Sequence, residues 1–216
     1  MSDSVAIQSV WVGEVRNLWP GKAPSAIAKH RVDGALEVGP VGFVEDAQAD
    51  LSVHGGADKA IHHYPVEHYA FWCEEFPSAA DRLVAGGFGE NVSTTGLSES
   101  DLCLGDVLSL GSARVQVSQG RQPCWKLNQH MGLSTLAKRF QRTGRTGWYY
   151  RVLEGGPVAA GDSMALLERP CPDWPLPAVA AALGSAKTPT DVTGALAELP
   201  ELAESWRQEL RKRLAR

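Results

Sequence analysis

Closely spaced cysteines are what this chain most visibly lacks. Cys73, Cys103, Cys124 and Cys171 lie far apart, and no Cys-x-x-Cys pair offers zinc or iron–sulfur spacing. An apolar run of membrane-spanning length is missing too, since the alanine-rich stretch at 178–183 is far too short. The start, Met1-Ser2-Asp3-Ser4, carries neither the basic residues nor the apolar core of a secretory leader. Surplus positive charge is also absent: the formal net charge is -4, which argues against nucleic-acid polymers and anionic membranes as general partners. These absences predict a reduced, cytoplasmic protein. Any anionic ligand must be met by locally gathered cations.

A length of 216 residues suggests one sizeable domain, or one domain with a small appendage. Residues 5–12 read as a first strand stopped by Gly13. The runs 26–32 and 36–38 flank Asp33-Gly34, which predicts a two-residue hairpin. Residues 41–44 open a further strand leading to 50–53. Between 65 and 76 the spacing predicts a helix, with Val66, Tyr69, Ala70 and Cys73 as its apolar stripe. Pro65 suits its first turn, Pro77 stops it, and Glu67, His68, Glu74 and Glu75 form a solvated edge. Gly86-Gly87-Phe88-Gly89 bends into a strand at Val92, without the context of a dinucleotide fingerprint. Leu104-Gly105-Asp106-Val107 and Ala160-Gly161-Asp162-Ser163 repeat one pattern, a Gly-Asp turn feeding a strand, and predict related corners of one closed sheet.

Leu133, Leu136, Ala137 and Phe140 mark a second short helix ended by Gly144. An aromatic strand follows at 147–153, then a turn at Gly155-Gly156-Pro157. Pro170, Pro172 and Pro175 make a stiff linker, beyond which everything reads helical. The helices are 176–183, one starting with Thr188 as cap and Pro189 in its first turn, and one striped by Leu202, Trp206, Leu210 and Leu214. Each is too short to persist alone, so they pack on one another or on a partner. A homodimer and a monomer with a docked tail are both compatible with those apolar faces.

Chemistry concentrates at Arg121-Gln122-Pro123-Cys124-Trp125-Lys126. It follows an alternating strand, Arg114-Val115-Gln116-Val117-Ser118, and Gly120 and Pro123 take the chain out of the sheet. Arg121 and Lys126 favour thiolate at Cys124, the form that attacks electrophiles and binds soft metals. The alternative is a small buried hydrophobe. A second candidate is His54-Gly55-Gly56-Ala57-Asp58-Lys59, continuing to His62 and His63. Paired glycines with charges and three histidines are expensive to bury, so this segment is predicted to be a loop near a site.

With these residues in view, 117–127 resembles the cysteine signature of the MOSC family. His54-Gly55-Gly56-x-x-Lys59-Ala60, Gly89-Glu90-Asn91 and Leu104-Gly105-Asp106 are similar to its other landmarks, in order. The tail, with Glu198-Leu199-Pro200 and Ser205-Trp206, resembles the three-helix extension of the YiiM-like branch. The resemblance implies a mainly β fold: a twisted, largely antiparallel β-barrel at 1–168 with a few peripheral helices, and a small three-helix domain at 169–216. It also implies a molybdenum cofactor, a molybdopterin-type pterin carrying molybdenum, with Cys124 as the metal's protein ligand. Lys59, Arg121 and Lys126 would contact the cofactor's phosphate, with Gly55, Gly56 and Asn91 close by. The expected activity is reduction of N-hydroxylated compounds such as hydroxylaminopurine, with His54, His62 or His63 assisting protonation. Electrons are expected from a separate reductase, because the chain has no flavin, nicotinamide or cluster motif of its own. Two alternatives use the same cysteine: a non-catalytic cofactor or sulfur carrier, and a cysteine-nucleophile hydrolase.

Overall fold

The structure, a computed structural model, describes residues 4–50 and 55–216. In chain order it runs β1 (Val5–Gly13), β2 (Lys29–Val32), β3 (Leu36–Gly39), β4 (Gly42–Phe43), β5 (Ile61–Pro65), α1 (His68–Glu75), β6 (Val92–Thr94), β7 (Val107–Leu110) and β8 (Ala113–Gly120). Then come α2 (Trp125–Met131), α3 (Leu136–Thr143), β9 (Trp148–Glu154), β10 (Gly156–Val158), β11 (Ser163–Glu168), α4 (Leu176–Gly184), α5 (Thr190–Glu198) and α6 (Glu204–Leu214).

Strands pair in the order β11-β7-β8-β9-β5-β6-β1, and β1 also pairs β11, so seven strands close into a barrel with β2 added outside β1. Every pairing around it is antiparallel except β5 with β6, which run parallel from His63 opposite Val92 to Pro65 opposite Thr94. Closure leaves none of the seven barrel strands unpaired on a side, so only the appended β2 ends the sheet. Within β1 a register shift between Ile7 and Ser9 resets the pleat, so that Ile7, Val10 and Val12 all face inward. These pack with Ile61, Val92, Leu108, Val115, Val117, Trp148 and Tyr150 as the barrel core. The two Gly-Asp corners prove alike. Asp106 Oδ2 accepts from the Cys103 amide at 2.9 Å, Asp162 Oδ2 accepts from the Ala159 amide at 2.8 Å, and the strands they feed, β7 and β11, pair directly.

A parallel joint cannot be closed by a hairpin, so residues 66–91 form a crossover. Its helix α1 is rotated from the expected stripe: Tyr69 and Trp72 are buried while Ala70 is exposed. Ring area decides this. Trp72 stacks on Phe140 of α3 at 4.4 Å and donates from Nε1 to Tyr64 Oη at 2.6 Å, so burying it outweighs burying one methyl. Pro65 ends β5 rather than starting the helix. The expected edge residues are engaged as well, His68 Nε2 donating to Glu99 at 2.7 Å and Arg139 pairing with Glu75.

The Asp33-Gly34 hairpin does not form. β2 pairs β1, whereas β3 joins β4 and β10 in a separate sheet, so the turn only redirects the chain. Leu36 and Val38 are buried in the barrel core, which draws β3 away from its exposed predecessor. Gly155-Gly156-Pro157 is likewise not a plain turn, since β10 begins there. A Cβ on Gly155 would lie 2.3 Å from the Val38 carbonyl, so glycine permits that approach. Strand β4 is confined to Gly42 and Phe43, and the expected continuation through 51–53 lies outside the described residues.

Helices α4 to α6 share a core of Val179, Leu183, Leu196, Leu202, Trp206 and Leu210, which Leu104 of the barrel joins. Backbone groups tie them down: the Ala203 amide donates to Ser118 O at 3.0 Å and the Glu204 amide to Asp58 Oδ2 at 2.8 Å. Thr188 does not cap α5; its hydroxyl donates to Ala182 O at 2.8 Å, at the end of α4. No helix among the described residues is long and apolar enough to cross a membrane.

The proline-rich segment is anchored to the barrel. Arg169 grips the fully buried Asp106 carboxylate through Nε at 2.9 Å and Nη2 at 2.7 Å, and donates to Asp101 O at 2.8 Å. Arg169→Ala leaves that carboxylate without its counter-charge, so urea unfolding should show a loss of about 2–3 kcal/mol, at the low end for a buried pair because Arg169 is partly exposed. Arg169→Lys should recover little, having no two-pronged donor. A loss within measurement error would mean that the linker is not held by this pair.

Candidate functional site

Beside the strand ends of β5 and β8 lies a cleft of about 100 Å³, walled by Lys29, Asp46, Gln48, Lys59, His62, Gly89, Asn91, Arg121, Cys124, Lys126 and Tyr149, among others. Cys124 directly precedes α2, a helix the sequence reading missed because its seven residues carry only two apolar anchors, Leu127 and Met131. The turn at Arg121-Gln122-Pro123 lifts the half-buried Cys124 out of the sheet and against the wall.

Charge is the cleft's main feature. Four of its wall residues are cations (Lys29, Lys59, Arg121 and Lys126) and one is a carboxylate, Asp46. Burial, opposed by Asp46, lowers the pKa of Lys29, and burial, opposed by Asp58 and Asp50, lowers that of Lys59. A small cleft with four cations and one carboxylate on its wall favours an anion.

Asp46 organises one wall. Lys29 Nζ donates to both its oxygens at 2.6 and 2.7 Å, the Gly13 amide to Oδ1 at 2.6 Å and Asn91 Nδ2 to Oδ2 at 2.8 Å. Asn91 also donates to Trp11 O at 3.2 Å and accepts from the His62 amide at 3.1 Å. Its side chain therefore ties strands together, a different task from the cofactor contact expected of it. Neither Lys29 nor Asp46 was expected at a site. They lie 17 positions apart, in a run read as strand and in a loop, with no motif joining them.

The neighbouring glycine turn is built on Glu90, which is fully buried and whose pKa burial raises. It accepts from Tyr69 Oη at 2.7 Å and from the amides of Gly86 at 2.6 Å and Phe88 at 3.1 Å. That turn presents Phe88 and Gly89 to the cleft. At φ +76° and with Ile27 where a Cβ would stand, position 89 requires glycine.

The structure separates the histidines. His62 and His63 belong to β5, not to a loop, and point to opposite sides of the sheet. His62 reaches the cleft, where Arg121 Nη1 points at its Nε2 from 3.5 Å. Burial, then Arg121, pushes its pKa well down, so the ring is neutral. His63 turns into the barrel: its nitrogens meet Tyr150 Oη at 3.0 Å and Thr94 Oγ1 at 2.8 Å, and Trp148 lies 4.3 Å from its ring. A proton-transfer role for His63 is thereby corrected to a core role. His54 lies outside the described residues.

Gly55 and Gly56 shape the loop that presents Lys59 and do not line the cleft. The Gly56 amide donates to Gln48 Oε1 at 3.0 Å, so it is committed within the protein, and Gln48 Oε1 sits 2.3 Å from where a Gly55 Cβ would lie. Lys126 lines the cleft while donating from Nζ to Pro24 O at 3.0 Å, which fastens the 14–28 loop to α2.

Residues 50–165 match the MOSC domain family, and residues 189–216 match the YiiM-like, 3-alpha helix domain. Protein YiiM of Escherichia coli (strain K12) is 42% identical over 204 residues, 94% of this chain and 90% of that protein. The chain belongs to the MOSC family. A protein of Gibberella moniliformis named "Reductase" is 41% identical over 155 residues, 71% of this chain but only 28% of its own length. The crystal structure of E. coli YiiM superposes with a TM-score of 0.82 and 34% identity, covering 98% of this chain and 92% of that one. In this MOSC chain, the barrel and the YiiM-like helices are the two parts that the family's solved fold also contains.

The buried histidines set a pH dependence. Burial pushes His63 from its ordinary 6.5 to about 3, and His62 shifts in the same direction. Between those values the unfolded chain holds a proton that folded His63 does not, so stability falls as pH drops below about 6.5, by up to about 1.4 kcal/mol per pH unit for His63, with His62 acting in the same direction. Urea midpoints should decline from about pH 6.5 to about pH 4, and His63→Gln should show a shallower decline whatever its starting stability. Equal slopes in the two proteins would rule out a neutral, buried His63.

Proposed function

We propose that this MOSC protein is a molybdenum-cofactor-dependent reductase of N-hydroxylated compounds, with Cys124 as the metal's protein ligand, working in the cytoplasm with a separate reductase as electron donor. One observation carries the reading: a cysteine side chain borders a cleft whose wall holds four cations and a single carboxylate. Among the described residues no three His, Cys, Asp or Glu side chains gather to hold a metal. The donor set therefore suits a metal that arrives with its own sulfur ligands and an anionic phosphate, and takes one soft ligand from the chain. The Gibberella relative's name, "Reductase", supports turnover over storage.

On this reading the bound cofactor would supply the two electrons, and solvent the two protons, that turn the N-hydroxy group into an amine and water. The chain's own groups do the rest. Lys29, Lys59, Arg121 and Lys126 attract the phosphate, with Arg121 offering the planar, two-pronged fit. Asp46 holds the Lys29 ammonium at the cleft wall, and Glu90 holds the turn that brings Gly89 to it. Neutral His62 accepts from Arg121 and so orients the guanidinium.

Elemental analysis of protein from a cofactor-competent host tests the assignment. Wild type should carry molybdenum stoichiometric with the chain, and Cys124→Ala should lose the metal together with donor-driven reduction of hydroxylaminopurine. Cys124→Ser retaining full metal and activity would sink the ligand assignment. Metal content without turnover under any supplied donor would favour the carrier, and ester hydrolysis by metal-free protein would favour the hydrolase. Arg121→Ala should weaken cofactor retention about 10-fold or more, the size expected for one charge-assisted bidentate contact.

A further inference from the structure

A second cavity, of about 500 Å³, lies between the end of β8, the end of α3 and the tail helices α4 and α6. Sites for small organic molecules run to roughly 300–1,000 Å³, so this space is of ligand size. Small residues keep it open. Ala180, Ala181 and Gly184 of α4 line it, and Gly120 faces them: a Cβ on Gly120 would lie 3.5 Å from Ala180 and 3.7 Å from Trp206. The Ala203 amide, bonded to Ser118 O at 3.0 Å, holds the tail at that distance from the strand. Pro123, Leu176, Pro177 and Trp206 make much of the remaining wall apolar.

Two cations, Arg121 and Arg142, line the same cavity, and neither makes an ion pair among the described residues. Its one carboxylate, Glu99, already has both oxygens engaged. Oε1 accepts from the Gly147 amide at 2.6 Å and Oε2 from His68 Nε2 at 2.7 Å. Two unpaired arginines set among apolar walls suit a ligand with an anionic head and an apolar body. We infer that this cavity is a second ligand site, for an amphipathic organic anion, and that Arg121 couples it to the Cys124 cleft. The inference does not depend on the reductase reading; it needs only the cleft's preference for an anion.

The coupling follows from where Arg121 stands. It lines the cleft as well as the cavity. Its amide donates to Gly147 O at 3.0 Å, which fixes the backbone, so only the side chain is free to turn. In the structure Nη1 points at His62 Nε2, on the cleft side, from 3.5 Å. An anion in the cavity draws the guanidinium the other way. Anions in the two spaces thus compete for one cation, and by linkage each weakens the other by the same factor.

The test uses the full chain, from a host that makes no molybdenum cofactor, with anilinonaphthalene sulfonate as probe of the cavity and inorganic phosphate as probe of the cleft. The dye should bind one per chain with a rise in fluorescence, and its uncharged analogue phenylnaphthylamine about tenfold more weakly. Arg142→Ala should cost dye affinity about tenfold, the worth of one charge-assisted contact. Ala181→Leu, which adds bulk to the cavity, should lower it too; both positions are exposed, so the fold tolerates the changes. Dye affinity unchanged in both variants overturns the site, as does equal affinity for the charged and uncharged probes. Phosphate should raise the dye's dissociation constant several-fold in wild type but not in Lys59→Ala, because Lys59 lines the cleft and not the cavity. A phosphate effect that persists in Lys59→Ala means direct competition inside the cavity and overturns the coupling, as does no effect in wild type.

Discussion

The Asp46 carboxylate is the constraint on which the cleft depends. It is buried with Lys29, the two side chains each 6% exposed, and moving either charge out of water costs several kcal/mol before any attraction is counted. The cost is offset only because both oxygens are saturated, by one ammonium, one backbone amide and one side-chain amide. Those donors come from β1, β2 and the residue before β6. A single carboxylate therefore fixes where three segments meet, and the cleft is the space left beside that junction.

The barrel's one parallel joint explains why the junction sits where it does. Antiparallel neighbours can share tight turns, but β5 and β6 need the long crossover of 66–91. That crossover supplies α1, whose Trp72 seals it against α3, and the glycine turn gathered around Glu90. A second buried carboxylate thus does for the crossover what Asp46 does for the strands. Both are acidic groups placed where backbone amides would otherwise go unpaired.

Legibility in the sequence followed the range of the interaction. Strand β8, with its alternating Arg114-Val115-Gln116-Val117, was readable because side-chain parity is a local property. The paired Gly-Asp corners were readable for the same reason, since Asp106 and Asp162 each bond an amide three residues back. The landmarks around Cys124 and Gly89-Glu90-Asn91 carried the family resemblance and so pointed to the site. What stayed hidden was set at long range. Lys29 finds Asp46 through a fold, not a motif, and Asp33-Gly34 looks like a hairpin until Leu36 and Val38 are drawn into another sheet. His62 and His63 looked like loop residues because two adjacent histidines are costly to bury. The cost falls away once Thr94 and Tyr150 satisfy one ring and Arg121 meets the other.

Gathering cations also has a consequence for stability. In a chain of net charge -4, Lys29, Lys59, Arg121 and Lys126 are held in a small space with one carboxylate, and burial lowers the pKa values of Lys29 and Lys59. That arrangement is destabilising when nothing anionic is present, because like charges share a poorly screened volume. An anion in the cleft reverses the sign: it attracts the cations and favours the charged forms of Lys29 and Lys59. Since the unfolded chain has no such cleft, the anion binds only the folded form and transfers its binding energy to the fold. A cleft walled in this way is held together least well when empty, and an anion entering it would relieve the repulsion among its cations.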